Sequence, residues 1–362
     1  MSQTPNLKVD RVSRPAVEIT VGGKTLDRVA LSAITNMTVR SDMEGLDRFE
    51  IRIRNSRDAK SKQYLYSDQD LYLPGKPIKI ELGYLDSGGL KTVFDGDITE
   101  FGATFPKAGP SILIVRGISK YSRLVNQQIS KVYLEKSDVD IIKGVASSLG
   151  LKVQVEAGGA GTQPNEYELQ AASFDLSYLI EKCRFLGFDV HLMNGGDTLY
   201  MGQTGSQPGG ATTLTFGQAL VSFDVFVNTS TQVNEATVFG WDSKQKKQIK
   251  STVSRSALNE KTPWASDVKA AFSDRSEVIS DVPVGDEASA KSLAKATLRR
   301  IANSMVVGEG TATATPELMP GTLVKLEGLD RRFSGQYRVT AAEHQFDEQG
   351  LKTWFCAKME AA

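Results

Sequence analysis

The sequence contains few of the residues that build most catalytic and metal sites. It has two histidines, His191 and His344, and two cysteines, Cys183 and Cys356. A zinc site needs three or four converging ligands, and no Cys or His pair has the spacing of such a site. A Walker loop, a G-x-S-x-G motif and an HExxH motif are also missing. We therefore expect no metal, no cofactor and no enzymatic activity, with the histidines in sheets or turns and the cysteines reduced in the core.

The chain also lacks an excess of either charge and lacks a long hydrophobic run. Lys plus Arg and Asp plus Glu both number 43, which argues against specific or general nucleic-acid binding because phosphate neutralisation needs a basic surplus. No apolar stretch approaches the roughly twenty residues of a membrane span. Met1–Asp10 is polar and shows no secretory signal, so we expect assembly in the cytoplasm.

A short segment occurs twice, near the two ends of the chain. Pro74–Glu81 reads PGKPIKIE and Pro320–Glu327 reads PGTLVKLE. Each copy continues into a Phe-x-Gly step, at Phe94–Gly96 and at Phe333–Gly335, and then into further strands. This order is typical of a turn, a half-buried strand, a hairpin and a returning strand. The repetition predicts two similar β-modules with other material between them.

The rest of the 362 residues suits several modules. Ser137 and Ser173 are predicted to cap two helices that end at Gly150 and Gly187, each followed by a strand. A third helix is predicted from Asp286 to about Met305. The glycine-rich stretch 202–210 reads as a domain linker. The predicted division is 1–125 first tube-like β-barrel, 126–205 α/β insertion, 206–262 first part of the second barrel, 263–285 polar insertion, and 286–362 helix and remainder of that barrel.

Several residues are candidates for structural or contact roles. The positions expected to set turn geometry and barrel packing are Phe94, Gly96, Gly240, Trp241, Pro320, Gly321, Phe333, Gly335 and Tyr337. Of these, Gly96 and Gly335 are expected to allow close backbone approach or a bulge. Trp241 is expected to be a packing anchor rather than a ligand platform. Lys291, Lys295 and Arg299 form a basic stripe, which could face a partner or a channel lumen or be a solvated helix face.

The order of these segments resembles the tail-hub family of contractile injection systems. This family includes the phage late control protein D and the N-terminal hub part of VgrG from type VI secretion. Phe94–Thr99 is similar to the F-x-G-x-I/V strand of the first hub barrel, and Val238–Asp242 to the V-x-G-W-D strand of the second. Tyr167–Phe188 looks like the hub's S-D-x-x-F-I-x-R-L helix, although its charges are placed differently. Pro320–Phe346 is similar to the closing signature of the second barrel.

The resemblance implies a β-rich α+β protein with two tail-tube-like barrels and α/β insertions in each chain. It implies a homotrimeric baseplate hub that adapts a threefold spike to a hexameric, Hcp-like tail tube. The implied partners are that tube, a separate spike protein, baseplate wedge proteins, and a payload or tape-measure protein. The spike is expected to be separate because the sequence ends after the second barrel. The particle would be a phage tail or a contractile injection device.

Two other functions are compatible with the residues. Asp95, Asp97 and Glu100 lie close in sequence, and such carboxylates occur in glycan-cleaving enzymes. A phage-tail protein that binds or cleaves glycans is therefore the main alternative, although a solvated strand edge explains the same cluster. A tube-initiator protein with one barrel per chain is a weaker alternative, because the segment is repeated.

Overall fold

The computed structural model describes residues 15–43, 45–84, 89–156, 161–196, 198–203, 211–243, 245–258, 260, 263–264, 275–282 and 284–360. Within these ranges the chain forms twenty-one β-strands and four α-helices. The β-rich α+β class expected from the sequence is confirmed. The strands form one thirteen-stranded sheet, two three-stranded sheets and one two-stranded ribbon.

The first part of the chain wraps seven strands around one hydrophobic core. These strands are β1 (Pro15–Val21), β2 (Lys24–Thr25), β3 (Ile34–Asp42), β4 (Arg48–Arg54), β5 (Pro77–Tyr84), β6 (Gly89–Thr104) and β7 (Ile112–Ser119). The short helix α1 (Arg28–Ser32) is capped by the Asp27 side chain. Buried and half-buried residues alternate along all of β7, as expected for a strand with one face on a core.

The middle part forms a separate α/β unit. Its elements are β8 (Gln128–Ser137), α2 (Asp138–Ser148), β9 (Lys152–Glu156), β10 (Pro164–Phe174), α3 (Asp175–Leu186), β11 (Phe188–Met193) and β12 (Thr198–Gln203). Strands β8 and β10 pair as an antiparallel ribbon, while β9, β12 and β11 form a three-stranded sheet. Ile142, Leu179 and Leu199 are fully buried in the core between this sheet and the helices.

The last part contains the remaining strands of the large sheet and a second α/β unit. The strands that belong to the large sheet are β13 (Thr212–Thr215), β14 (Leu220–Val227), β18 (Val306–Thr313), β19 (Leu323–Glu327), β20 (Gly335–Asp347) and β21 (Gly350–Met359). The strands of the second α/β unit are β15 (Glu235–Asp242), β16 (Lys247–Ser254) and β17 (Ser276–Ile279). Helix α4 (Glu287–Asn303) packs on β15 and β16. Most of the predicted linker 202–210, and residues 265–274 of the predicted polar insertion, lie outside the described residues.

The predicted helix ends are mostly right. The Ser137 side chain accepts a hydrogen bond from Asp140 N, which caps α2 as predicted. Gly187 ends α3 in the left-handed conformation, at φ 71°. Ser173 does not cap α3, because it still belongs to β10 and pairs with Ile129. Phe174 takes the cap position without a side-chain hydrogen bond.

The strand pairings reveal a duplication within the large sheet. The order β3-β4-β7-β6-β5-β1 in the first module is repeated by β14-β18-β21-β20-β19-β13 in the second. The last pair differs, since β1 is antiparallel to β5 while β13 is parallel to β19. Bulges support the equivalence, because β3 and β14 are both irregular near their starts, at Thr35 and Val221. Strands β6 and β20 are likewise both irregular in mid-strand, at Thr99 and Thr340.

The structural alignment of the two copies differs from the alignment of their Phe-x-Gly steps. Gly96 pairs with Ile78, the second residue of β5, whereas Gly335 pairs with Leu326, the fourth residue of β19. The two glycines therefore do not occupy equivalent positions, and the steps are offset by two residues. The Pro-Gly turns before β5 and β19 are equivalent, because Pro77 and Leu323 start the two pairings at matching points.

Candidate functional site

The two modules join edge to edge through strands β3 and β20. The second half of β20 pairs antiparallel with β3, from Ala341 opposite Asp42 to Phe346 opposite Met37. Met43 N continues the junction by donating to Thr340 O at 2.9 Å. This pairing makes one continuous sheet from two duplicated modules, so the chain contains one complete module-to-module interface.

The two faces of this junction differ in character. On the core face, Val39 is 0% and His344 1% exposed, and His344 Nδ1 lies 3.0 Å from Thr353 Oγ1. On the opposite face, Arg40 lies 3.9 Å from Glu343 and its guanidinium lies over the Trp354 ring at 5.8 Å. The junction therefore combines a buried side with a polar, partly exposed side.

The strands equivalent to β3 and β20 are β14 and β6, and each has an open edge in the described part of the chain: β14 at one end of the sheet, and β6 over its second half. Among the described residues, β14 pairs only with β18, and β6 beyond Ile98 pairs only with β7. Phe226 in β14 is 71% exposed. Gly102, Ala103 and Thr104 at the end of β6 are also exposed. The same positions in β3 and β20 are buried or half-buried because each has a neighbouring strand.

The open edges of β14 and β6 are not among the features predicted from the sequence. Residues Phe223–Val227 read FDVFV, so Phe226 falls on the polar side of an otherwise regular alternation. A large apolar residue at a polar position is the signal that could have marked this edge.

A chain of ion pairs crosses the polar face of the first module. Arg52 Nε lies 2.7 Å from Glu50, Glu50 lies 2.7 Å from Arg116 Nε, and Arg116 lies 3.1 Å from Glu100 at the end of this chain. The hydrogen bonds from both arginines hold the pKa of Glu50 below its usual value. These pairs connect β4, β7 and β6 up to the open edge.

The carboxylates that suggested glycan cleavage each form an ion pair with a different Lys or Arg side chain. Asp95 lies 2.5 Å from Lys120, Asp97 lies 3.1 Å from Arg123, and Glu100 bonds to Arg116. The three carboxylates therefore stand in three separate ion pairs along β6. This arrangement is that of structural ion pairs on a strand surface.

Several of the predicted signature residues are packed in the interior of the protein. Phe94 and Tyr337 are fully buried; Phe94 packs against Phe49 at 4.9 Å, and the Tyr337 hydroxyl donates to Phe333 O at 2.7 Å. Pro320 and Gly321 are also buried, and Gly321 N donates to Val339 O at 2.7 Å. Phe333 is half-buried and lies 5.3 Å from Trp264.

The close backbone approach predicted at Gly96 is present, and Gly240 shows a close approach that was not predicted. A Cβ atom on Gly96 would lie 2.7 Å from Phe94 Cζ, and one on Gly240 would lie 2.5 Å from Val284 O. At Gly335 the nearest atom would be Met359 Cε at 3.9 Å, so the expectation of close approach is wrong there. The bulge of β20 also lies further along, at Thr340.

Trp241 is not the packing anchor expected from the sequence. Its side chain is 57% exposed on β15, because Trp241 lies on the side of the strand that faces away from the core of Val238 and Ala236. The basic stripe is on the same α/β unit, with Lys291 and Lys295 exposed and Arg299 half-buried.

Burial keeps the two histidines and Cys183 in their neutral forms. Burial lowers the pKa of His191 to about 3 and that of His344 to about 4. Burial raises the pKa of Cys183 to about 12, and both cysteines are free thiols. Among the described residues, no cluster of three or more His, Cys, Asp or Glu side chains could hold a metal ion. None of the described helices combines the length and hydropathy needed to cross a membrane.

The family model described as Alg8 N-terminal domain matches residues 11–348, which is most of the chain. The chain belongs to the Alg8 N-terminal domain family. A comparison of this Alg8 N-terminal domain protein with curated proteins finds no match.

Solved structures share the fold of this Alg8 N-terminal domain protein over nearly its whole length. The 43 kDa tail protein of prophage MuSo2 from Shewanella oneidensis is 15% identical, with a TM-score of 0.70 and coverage of 96% of this chain and 98% of that chain. A tail protein from Neisseria meningitidis is 16% identical, with a TM-score of 0.65 and coverage of 96% and 97%. The E. coli c3393 protein, a type VI secretion component similar to T4 tail proteins gp27 and gp5, is 12% identical, with a TM-score of 0.58 and coverage of 95% and 77%. The resemblance to tail-hub proteins inferred from the sequence is thus confirmed at the level of the fold.

Proposed function

We propose that this chain is the baseplate hub of a phage tail or contractile injection machine, and that it works as a homotrimer. The observation that carries this proposal is the β3–β20 junction. Two similar modules already continue into one another as a single sheet, and among the described residues the equivalent edges, on β14 and on the second half of β6, have no neighbouring strand. A sheet with complementary open ends is suited to closing into a ring with further copies.

The duplication gives such a ring two symmetries. Three chains with two modules each place six similar modules around one axis. One face of the ring can then match a hexameric, Hcp-like tail tube, while the chain-level threefold symmetry can match a trimeric spike. The hub would help to nucleate the tube and seat the spike, with baseplate wedge proteins around it and a payload or tape-measure protein in its channel.

The division of the chain follows the same proposal. The first module and strands β13, β14 and β18 to β21 would form the ring, while the insertion 126–205 and the second α/β unit, made of β15, β16, β17 and α4, would lie outside it. The basic face of Lys291, Lys295 and Arg299 would then be a surface for a partner protein. The role is structural, and the paired carboxylates Asp95, Asp97 and Glu100 support this assignment over glycan cleavage.

The proposed role is tested by binding to the tail-tube protein of the same particle. The purified protein would be mixed with preformed hexameric tube rings and viewed by negative-stain electron microscopy. We expect one hub ring on one end of each tube, and more tubes per unit time from free tube subunits when the hub is present. Tubes that form at an unchanged rate and carry no cap, in the presence of a trimeric protein, would contradict the adaptor role.

A further inference from the structure

We infer that neighbouring copies of this chain join by adding β14 of one copy to the open edge of β6 of the next, with Phe226 seated in a depression at Gly102. This inference rests on the proposed trimeric ring and specifies its chain-to-chain interface. The partner is a second copy of the same chain, because the chain itself contains the equivalent interface between β3 and β20.

The strand pairings give the correspondence between β3 and β14. Met37 pairs with Ile51, which pairs with Val115. In the second module, Phe223 pairs with Gly310, which pairs with Phe355. Residues 37–42 therefore correspond to residues 223–228, and the bulges at Thr35 and Val221 fall at matching positions.

The correspondence between β20 and β6 follows in the same way. Ala341 pairs with Cys356 directly after the bulge at Thr340, and Glu100 pairs with Arg116 directly after the bulge at Thr99. Residues 341–346 therefore correspond to residues 100–105. Transferring the β3–β20 register gives the expected pairs between copies: Glu100–Asn228, Phe101–Val227, Gly102–Phe226, Ala103–Val225, Thr104–Asp224 and Phe105–Phe223.

This register places matching faces together. Phe223, Val225 and Val227 are half-buried on the core side of β14, while Asp224, Phe226 and Asn228 are exposed on the other side. Phe101 and Ala103 pair with the buried residues Val115 and Leu113, so they also lie on the core side of the sheet. A slip by one residue would put every core-side residue of β14 opposite a residue of the polar face, so the alternation selects this register.

The polar face of the interface carries a matched protrusion and depression. Phe226 is 71% exposed. Gly102 lies opposite it in the expected register, and nothing lies within 4 Å of a Cβ atom built on Gly102. A depression of about 220 Å³ at Gly102 is lined by Ile114 and Thr104, by the ion pair of Glu100 and Arg116, and by the neighbouring Phe101 and Ala103. The Phe226 ring is large enough to fill much of this space and would cover the side chain of Ile114.

The in-chain junction shows what normally occupies these three positions. Arg40, Glu343 and Trp354 correspond to Phe226, Gly102 and Ile114. Within the chain, the arginine bonds to the glutamate across the junction and lies over the tryptophan ring. Between chains, an aromatic ring over a glycine takes the place of the ion pair. The two kinds of junction around the ring therefore use different chemistry at the same site, which keeps their partners distinct.

A disulfide test probes the register directly. Cysteines at Thr104→Cys and Asp224→Cys would lie directly opposite each other in neighbouring copies, within disulfide distance. Gln345→Cys with Thr38→Cys is the matched positive control, because these residues pair within the chain at the equivalent positions. Thr104→Cys with Ser222→Cys is the off-register control. On oxidation we expect a covalent trimer only from the first pair, and single-cysteine variants report the background from Cys183 and Cys356.

A second variant tests the protrusion without disturbing the core. Phe226→Ser is expected to weaken trimer association at least tenfold, measured by the concentration dependence of the mass in analytical ultracentrifugation. Val278→Ser, at a site that is 57% exposed on β17, should leave association unchanged. The melting temperatures of both variants and of the wild-type protein would be measured at high dilution. Equal values would show that both variants are folded.

The possible outcomes separate this inference from the proposed function. A trimer that fails to cross-link between residues 104 and 224, or one unaffected by Phe226→Ser, would overturn the interface and leave the trimeric hub in place. A chain that remains monomeric at high concentration and in the presence of tube rings would overturn both. A covalent trimer from the Thr104→Cys and Asp224→Cys pair, together with weakened association of Phe226→Ser, is the result that we expect.

Discussion

Gly96 is one of the residues of the first module at which the neighbouring strand leaves no room for a side chain. A Cβ atom there would meet the carbonyl oxygen of Ile118 and lie 2.8 Å from Ser119 Cα. Since the backbone of a packed sheet cannot yield, Gly96→Ala should lower the free energy of unfolding by about 2 to 3 kcal/mol, as overpacking does. Thermal denaturation tests this, with Gly144→Ala in α2 as the control, because nothing lies within 4 Å of an added Cβ at that position. Equal melting temperatures for the two variants would contradict the packing described for β6.

Asp47 is the residue most expected to make stability depend on pH. Burial raises the pKa of its carboxyl from 3.8 to about 7, although Asp42 N donates a hydrogen bond to it at 3.4 Å. The folded state therefore keeps a proton that the unfolded state releases, and stability present below about pH 4 is lost as the pH rises to about 7, by up to roughly 1.4 kcal/mol per pH unit. Asp47→Asn should remove this dependence and melt above the wild type at pH 8. A constant difference in melting temperature between the two proteins from pH 4 to pH 8 would contradict the raised pKa.

The starts of helices α2 and α3 provide a comparison at the scale of elements. Ser137 Oγ accepts a hydrogen bond from Asp140 N at 3.1 Å, whereas Ser173 lies inside β10. Ser137→Ala should destabilise the first turn of α2 by about 1 kcal/mol, the usual effect of losing a cap. Amide hydrogen exchange should then be faster in that turn, while Ser173→Ala should leave exchange at the start of α3 unchanged. Equal effects of the two substitutions on their helices would show that capping does not explain the stability of α2.

Local patterns in the sequence predict individual elements well in this protein. The third helix was predicted to start at Asp286, and the Asp286 side chain does accept a hydrogen bond from Ser289 N. These local patterns give the wrong prediction where the same residue fits two different structural roles. Ser173 reads as a cap because serine favours that position, but the pairing of β10 with β8 extends one residue further and overrides the local preference. Trp241 is predicted to be buried because it is large and apolar, but the alternation along β15 puts it on the face away from the core of Ala236 and Val238.

At the scale of the whole molecule, the sequence predicts the duplication but not the junction. The two Pro-Gly segments mark equivalent strands, and the α+β class follows from the alternation and the helix caps. The pairing of β20 with β3 joins residues about three hundred positions apart, and no local pattern encodes such a contact. The open edges of β6 and β14 can be recognised only when that pairing is known, because they are the equivalent positions that lack this contact in the described part of the chain.

The central claim is that three chains form a ring of six modules, and the mass of the protein in solution tests it most directly. Light scattering coupled to size-exclusion chromatography should give a mass close to three times the 39.4 kDa chain, and class averages in negative stain should show a six-lobed outline. A stable monomer or dimer at high concentration, both alone and mixed with tube rings, would contradict the ring and the hub role that depends on it.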